Sequence, residues 1–271
     1  MVCKICGAKQ KEWFSTKVLQ KYEVRYYFCE ECGFLCTEEP YWLAEAYSSA
    51  IADTDVGLLS RNNINCRILS NIIYYLLPKR GRNQIFVDVA GGMGVLTRLM
   101  RDVGFHFYWS DKYAENIFAK SFEYAGDVFY KEKKEIFALT AFSFLEHLVD
   151  PKAFIKEAIQ KHSTKTIIFT MDIFNGVPPS TDWWYYSFKT GQHISFFQEK
   201  TLKEMAKNLN LYLYWSKDFY IMSEYVLSNT ILKFCTGLLS HFLFLRAKKG
   251  TKSLLPNDYD YLLRLGEDDG A

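Results

Sequence analysis

Apolar positions along this chain switch repeatedly between two spacings. From Val56 to Leu77 they fall at Leu58, Leu59, Ile64, Ile68, Ile72 and Leu76, the period of a helix with one buried face. Tyr41 to Ala50 reads as a shorter helix, with a loop and cap at Asp53-Thr-Asp-Val56 between the two, and Pro78-Lys-Arg-Gly81 ends the longer one. An apolar strand opens at Phe86, and a helical pattern follows at Leu96, Leu99, Met100 and Val103. Further strand-like runs lie at 105–111, from Ile136, at Thr166 to Met171 and at Leu211 to Trp215. Helices are expected from Pro151 and from a cap near Gln198 to Thr201. Strands alternating with helices predict an α/β fold with a mainly parallel sheet and helices on both faces.

The first strand empties into Asp88-Val-Ala90-Gly91-Gly92-Met-Gly94. Glycines at a strand-to-helix turn remove Cβ and permit positive φ, so a cofactor can lie against bare backbone. A dinucleotide fingerprint needs G-x-G-x-x-G, and Thr97 stands where its third glycine would be. The second strand ends in Asp111, an acid suited to ribose hydroxyls or to capping a helix that begins near Tyr113. Beyond the strand from Ile136 come Leu145-Glu-His147 and then Asp150-Pro151.

These three stretches together resemble the class I S-adenosylmethionine (SAM) methyltransferases over roughly residues 46 to 215. The chain departs from that family at Ala90, where a first glycine is usual, and at Phe137 and Ser143, where acids are common. The resemblance implies a SAM site at Asp88, Ala90, Gly91, Gly92, Gly94, Asp111, Lys112, Ala141 and Phe142.

Cys3-Lys-Ile-Cys6-Gly and Cys29-Glu-Glu-Cys32-Gly carry a second chemistry. Two C-x-x-C pairs, each followed by glycine, suit one tetrahedral zinc at Cys3, Cys6, Cys29 and Cys32. Disulfides compete on spacing, but a cytosolic setting disfavours them. Four thiolates leave no open coordination position, so this zinc is expected to be structural. The interval allows a hairpin with strands near Glu12 to Val18 and Arg25 to Phe28. Cys36 is a substitute ligand by position, whereas Cys66 and Cys235 read as small buried hydrophobes.

After the fifth strand, turn formers from Asn175 lead into Trp183-Trp-Tyr-Tyr186 and then Thr190-Gly-Gln-His193-Ile-Ser-Phe-Phe197. Ligands of doubly wound folds sit at the carboxyl ends of strands, so this connection should face the acceptor. His193 is the expected general base, with His147 as runner-up and Tyr186, with Tyr185, orienting a substrate oxygen. A zinc knuckle ahead of such a domain, with this aromatic loop, looks like methyltransferases encoded with bacterial surface-polysaccharide and sugar-modification genes. That resemblance implies a small-molecule acceptor of sugar type, nucleotide- or lipid-linked.

Charge narrows the partners. Lys and Arg total 33 against 31 for Asp and Glu, with only short basic runs at Lys131-Glu-Lys-Lys134 and Arg246-Ala-Lys-Lys249. A protein gripping phosphates would show a basic stripe, so nucleic acid is not an expected partner. Lys4, Lys9 and Lys11 interrupt any signal-type apolar core, and a cytoplasmic protein is expected. Tyr225 to Leu245 is long and apolar, but Asn229, Lys233, Ser240 and His241 recur too often for a comfortable membrane span. A helix packed on the domain, a dimer face and a membrane-surface helix all stay open there. A loop over Ser253 to Asp258 and a disordered acidic end from Gly266 to Ala271 close the chain. The expected organisation is a zinc module at 1–38, a methyltransferase domain at 39–220 and a helical extension at 221–271. Two other readings remain: an RNA or protein methyltransferase with the zinc module as reader, and an idle SAM-type fold kept for interaction.

Overall fold

The computed structural model describes residues 1–48, 55–78, 84–124 and 135–268. The expected cap at 53–56, the helix end at 78–81, the basic run at 131–134, and the last residues of the first helix and of the tail lie wholly or partly outside these.

The chain begins with strands β1 (Lys11–Val18), β2 (Tyr22–Phe28) and β3 (Leu35–Thr37) and a short helix α1 (Leu43–Ala46). Leu19 and Gln20 both take positive φ, which lets a tight turn follow the right-handed twist of β1 and β2. Helix α2 (Leu58–Asn71) widens at its end, where the Leu77 amide donates to the Ile72 carbonyl five residues back. Then come β4 (Ile85–Asp88), α3 (Val95–Val103), β5 (His106–Trp109) and β6 (Ile136–Phe142). Helix α4 (Pro151–His162) starts as its sequence requires: Asp150 accepts from the Ala153 amide, and Pro151 fills the first turn. Next are β7 (Thr166–Thr170), β8 (Ser195–Phe196), α5 (Glu199–Asn208), β9 (Tyr212–Ser216) and β10 (Phe219–Ser223). Helices α6 (Asn229–Thr236), α7 (Ser240–Lys249) and α8 (Leu255–Asp268) follow.

Two compact units share these elements. The first comprises residues 1–55 and 142–226. Its antiparallel sheet has the order β1-β2-β3-β8, with Leu35 opposite Phe196 and Cys36 opposite Ser195. The N-terminal residues are therefore built into the same unit as the aromatic loop. Val24, Tyr26 and Phe28 alternate inward along β2 and meet Trp42, Tyr186 and Phe196 in one aromatic core. Strands β7, β10 and β9 are neighbours in that order, both pairs antiparallel.

The second unit comprises residues 56–141 and 227–271. Strand β4 pairs in parallel with β5 on one side and β6 on the other, with buried Phe86 stacked on Phe107 at 5.0 Å. This is the parallel order expected of the α/β plan.

Three expected elements differ. No helix forms at Tyr113, because Asp111 accepts from the Tyr113 and Ala114 amides in a local turn. The apolar stretch from Tyr225 to Leu245 breaks at Gly237 into α6 and α7, which cross at 94°. Buried Asn71 fixes the bend by donating to the Cys235 and Ser240 carbonyls. The loop expected at 253–258 instead starts α8, and the end expected to be disordered from Gly266 continues that helix to Asp268. Ser253 accepts from the Leu255 amide at its start, and Asp258 is clamped by Arg101 and Arg98.

Candidate active site

The glycine turn lies between β4 and α3 in the second unit. Gly94 caps α3 at φ +84°, and a Cβ there would lie 2.4 Å from Asn116 Oδ1, so only glycine fits. Gly92 also has positive φ, at +51°, but a Cβ there would meet nothing within 4 Å. Its backbone faces open space, as a cofactor-binding turn requires. The Gly92 amide donates to Asp111 Oδ2 at 3.0 Å, and Trp109 Nε1 donates to the Gly92 carbonyl at 2.8 Å. Asp111 thus holds the turn with Oδ2 and closes its own loop with Oδ1, which accepts from two amides, so the remaining lone pair suited to a ribose is on Oδ2. Trp109 lies under Gly91 so closely that a Cβ would stand 2.4 Å from its ring. Sequence reasoning missed Trp109, although an indole beside the terminal acid of the strand was the visible signal.

Asp88 sits beneath this turn and is 2% exposed. Burial pushes its carboxyl up to about 7, against a hydrogen bond from Thr140 Oγ1 at 2.8 Å. Its position makes it a support of the turn, not a group on its open face. Ala141 is buried at the end of β6. Phe142 is half-buried with its ring 5.7 Å from Phe219, Ala90 is half-buried, and exposed Lys112 lies over the Tyr113 ring.

The first unit brings together Glu146, His147, Tyr185 and His193. The Tyr185 hydroxyl donates to Glu146 Oε1 at 2.9 Å and accepts from the Asp172 amide at 3.2 Å. His193 Nδ1 lies 2.7 Å from the Tyr185 carbonyl oxygen. A carbonyl only accepts, so Nδ1 carries the hydrogen and Nε2 keeps a lone pair. His147 Nδ1 lies 3.1 Å from the Gln192 carbonyl and 2.9 Å from the Tyr47 hydroxyl. The two imidazoles meet edge to face, 4.8 Å between centroids. Burial, reinforced by the neighbouring His193, lowers the His147 pKa to about 3. Burial also lowers that of His193, against the Tyr185 carbonyl. Both rings are therefore neutral at pH 7.

The structure separates the two tyrosines of the loop. Tyr186, expected with Tyr185 to orient a substrate oxygen, is fully buried in the aromatic core, and its hydroxyl donates to the Pro179 carbonyl at 2.9 Å. Its side chain is committed to packing, and Tyr185 holds the place beside the histidines. Glu146 was not singled out from sequence. An acid in an otherwise apolar run was its signal, and it is 1% exposed.

Backbone pairing strings this cluster to the N-terminal sheet. The Ile194 amide donates to the Glu146 carbonyl at 2.8 Å, and the Thr37 amide donates to the Ile194 carbonyl at 3.0 Å. His193 is thus next to Ile194, whose backbone is held on both sides.

Cys3, Cys6, Cys29 and Cys32 converge with all four sulfurs within 4.8 Å of one another. The Cys3–Cys32 and Cys6–Cys29 sulfurs are 3.6 and 3.5 Å apart, near the roughly 3.8 Å edge of a tetrahedral zinc–thiolate site. Thr201 Oγ1 and Lys200 Nζ bond the Cys32 and Glu30 carbonyls, and Lys152 Nζ bonds the Ile5 carbonyl, so α4 and α5 anchor both knuckles. Cys36 lies outside the cluster. It hydrogen-bonds Gln10, and burial pushes its thiol up to about 12.

Residues 61–214 match a family model described as a methyltransferase domain. No curated protein matches the chain. Among solved structures the chain is similar to an O-methyltransferase family protein from Burkholderia thailandensis, at 14% identity over 67% of this chain and 66% of that one, TM-score 0.43. It is also similar to CalO1, a methyltransferase in calicheamicin biosynthesis solved in an SAH-bound form, at 10% identity over 66% and 60% of the two chains, TM-score 0.43. A third is magnesium protoporphyrin IX methyltransferase from Synechocystis PCC 6803 with bound SAH, at 11% identity over 66% and 90%, TM-score 0.38. The chain spans 60–66% of the length of the first two.

Proposed function

Since this chain belongs to the methyltransferase-domain family and has its class I fold, we propose that it transfers a methyl group from SAM to an oxygen or carbon acid of a small, sugar-type acceptor. SAM, when bound, supplies an electrophilic methyl on a sulfonium. The bare backbone at Gly92 and the carboxylate of Asp111 are the groups suited to hold it, with Trp109 and Asp88 keeping the turn in shape. The observation that carries the acceptor chemistry is the neutral His193, its Nδ1–H committed to the Tyr185 carbonyl and its Nε2 lone pair available. In this reading Nε2 takes the acceptor's proton, and His147 and the Tyr185–Glu146 pair keep the ring in place. The sugar-type acceptor is drawn from the sequence resemblance, and nucleotide-linked and lipid-linked forms both suit it.

Zinc is the ion we assign to the four thiolates, in a structural role. It keeps Cys3, Cys6, Cys29 and Cys32 together, and through the β3–β8 pairing it steadies the segment that carries His193.

Incubation with SAM and a panel of nucleotide sugars, read as a 14-dalton mass gain (roughly one CH2 unit), tests this reading. Methylated sugar with loss of turnover in His193→Ala would support it. Absence of SAM binding by calorimetry would sink it and leave the idle-fold reading. Tight, salt-sensitive RNA binding would favour the RNA methyltransferase instead.

One observation favours a second mechanism at the same cluster. Ligand atoms of Glu146, His147 and His193 lie within 4.8 Å of one another, a two-histidine, one-carboxylate set suited to a divalent cation. A cation there would acidify an acceptor hydroxyl directly. Cobalt(II) titration separates the mechanisms: a weak absorption without thiolate charge transfer, absent in Glu146→Gln, would replace the free-base mechanism with a metal one.

A further inference from the structure

We propose that the outer face of α6 and α7 docks on an anionic lipid surface. The two helices are anchored by Leu232, Cys235 and Ala247, all buried, and by the Asn71 amide at the bend. Facing outward are Ile231, Phe234, Leu238, Leu239, Phe242 and Leu245. Leu238 is fully exposed and Phe242 is 62% exposed. Ile231 and Phe234 on α6 and Phe242 and Leu245 on α7 each keep helical spacing within their own helix, and Leu238 and Leu239 stand exposed at the bend between them. Six large apolar side chains are thus exposed within fifteen residues, more than scattered surface residues make.

Charge identifies the occupant. Residues 225–257 contain no aspartate or glutamate, and they contain Lys233, Arg246, Lys248, Lys249 and Lys252. All five cations are exposed, and none is in an ion pair with a described residue. An apolar patch fringed only by cations matches a membrane surface carrying anionic headgroups, where apolar side chains enter the acyl boundary and cations reach phosphates. A second copy of the chain fits poorly, since an isologous contact would bring two such cationic sets together without an acid between them. Among the described residues no single helix is long and apolar enough to cross a membrane. Together α6 and α7 are long and apolar enough for a broken span, but they bend by 94° and keep Leu232, Cys235 and Ala247 buried within the protein, which favours a contact through the outer face alone. This inference stands apart from the reading of the acceptor, and either holds without the other.

Co-sedimentation of the full chain with vesicles tests it. Vesicles of phosphatidylcholine with about one-third phosphatidylglycerol should bind, binding should weaken with salt, and pure phosphatidylcholine should bind at least tenfold less. The triple variant Arg246→Gln, Lys248→Gln, Lys249→Gln should lose more than tenfold in affinity for the anionic vesicles. So should Leu238→Ser, Phe242→Ser, which leaves the charge unchanged. These positions are exposed, and an unchanged melting temperature checks that both variants fold. No binding to anionic vesicles, or equal binding by the variants, would overturn the proposal. So would a dimer in sedimentation velocity that Leu238→Ser, Phe242→Ser dissolves.

Discussion

His193 has one nitrogen spoken for and one available, and burial keeps the ring neutral. The basic form therefore persists below the ordinary histidine pKa of about 6.5. Turnover should hold to lower pH than an ordinary imidazole allows, with its acid limb displaced downward, as a pH–rate profile will show. His193→Ala should lower kcat by about a hundredfold or more with SAM affinity unchanged. Asp88 titrates in the opposite sense. Its folded pKa of about 7 lies above the unfolded value near 3.9, so its stabilising contribution is full below pH 4 and is lost as pH rises through 7. Asp88→Asn keeps an acceptor for Thr140 and removes that slope. Urea titrations should show the variant gaining on the native protein between pH 5 and pH 8. Residue type and spacing were enough to name the histidine, its loop and the acid of the turn as candidates. The choice between Tyr185 and Tyr186 was not, because adjacent residues differ only in which way the backbone turns them.

Elements with local signals were legible, and those formed by distant pairing were not. The start of α4 is written in Asp150-Pro151, and the turn before α3 in its glycines. β3 and β8 are only three and two residues long and find each other across most of the chain, so neither has a periodicity to read. The missing helix at Tyr113 shows the reverse failure: an acid read as a helix cap spends its oxygens on a turn and on Gly92. Helix α8 is held by a buried contact invisible to sequence. Asp258 receives a bidentate pair from Arg101 and a further bond from Arg98. Burial alone would raise its carboxyl pKa, but the two guanidiniums hold it below the usual range. Asp258→Asn should destabilise the protein by about 3 kcal/mol in urea unfolding at pH 7, because it leaves the buried Arg101 guanidinium without its carboxylate, whereas Arg98 keeps Asp102. The difference should begin to shrink as pH falls below about 4, where the unfolded carboxylate is protonated, and disappear only as the native carboxylate is protonated at lower pH.

At the scale of the molecule, the four-cysteine module is structurally continuous with the unit that holds the histidines. The sequence suggested a separate appendage at 1–38, since the cysteine pairs stand apart from the strand–helix alternation. In the structure its sheet is completed by β8, and its knuckles are pinned by α4 and α5. Chelating the metal should therefore abolish turnover. Hydrogen exchange should rise at Thr37, whose amide donates to the Ile194 carbonyl across this pairing. Protection at β4 and β5, in the other unit, should change much less.

The pairing of Leu35 with Phe196 also sets a schedule. The cysteines and their hairpin leave the ribosome well before β8, since the strand that completes their sheet is about 160 residues behind, roughly ten to thirty seconds of synthesis. Through that interval β3 has an unpaired edge, and edges of that kind recruit other chains. Early metal capture would fold the hairpin and shorten its exposure. Metal-starved cells should accordingly lose this protein to aggregation during synthesis, before any finished molecule has the chance to unfold.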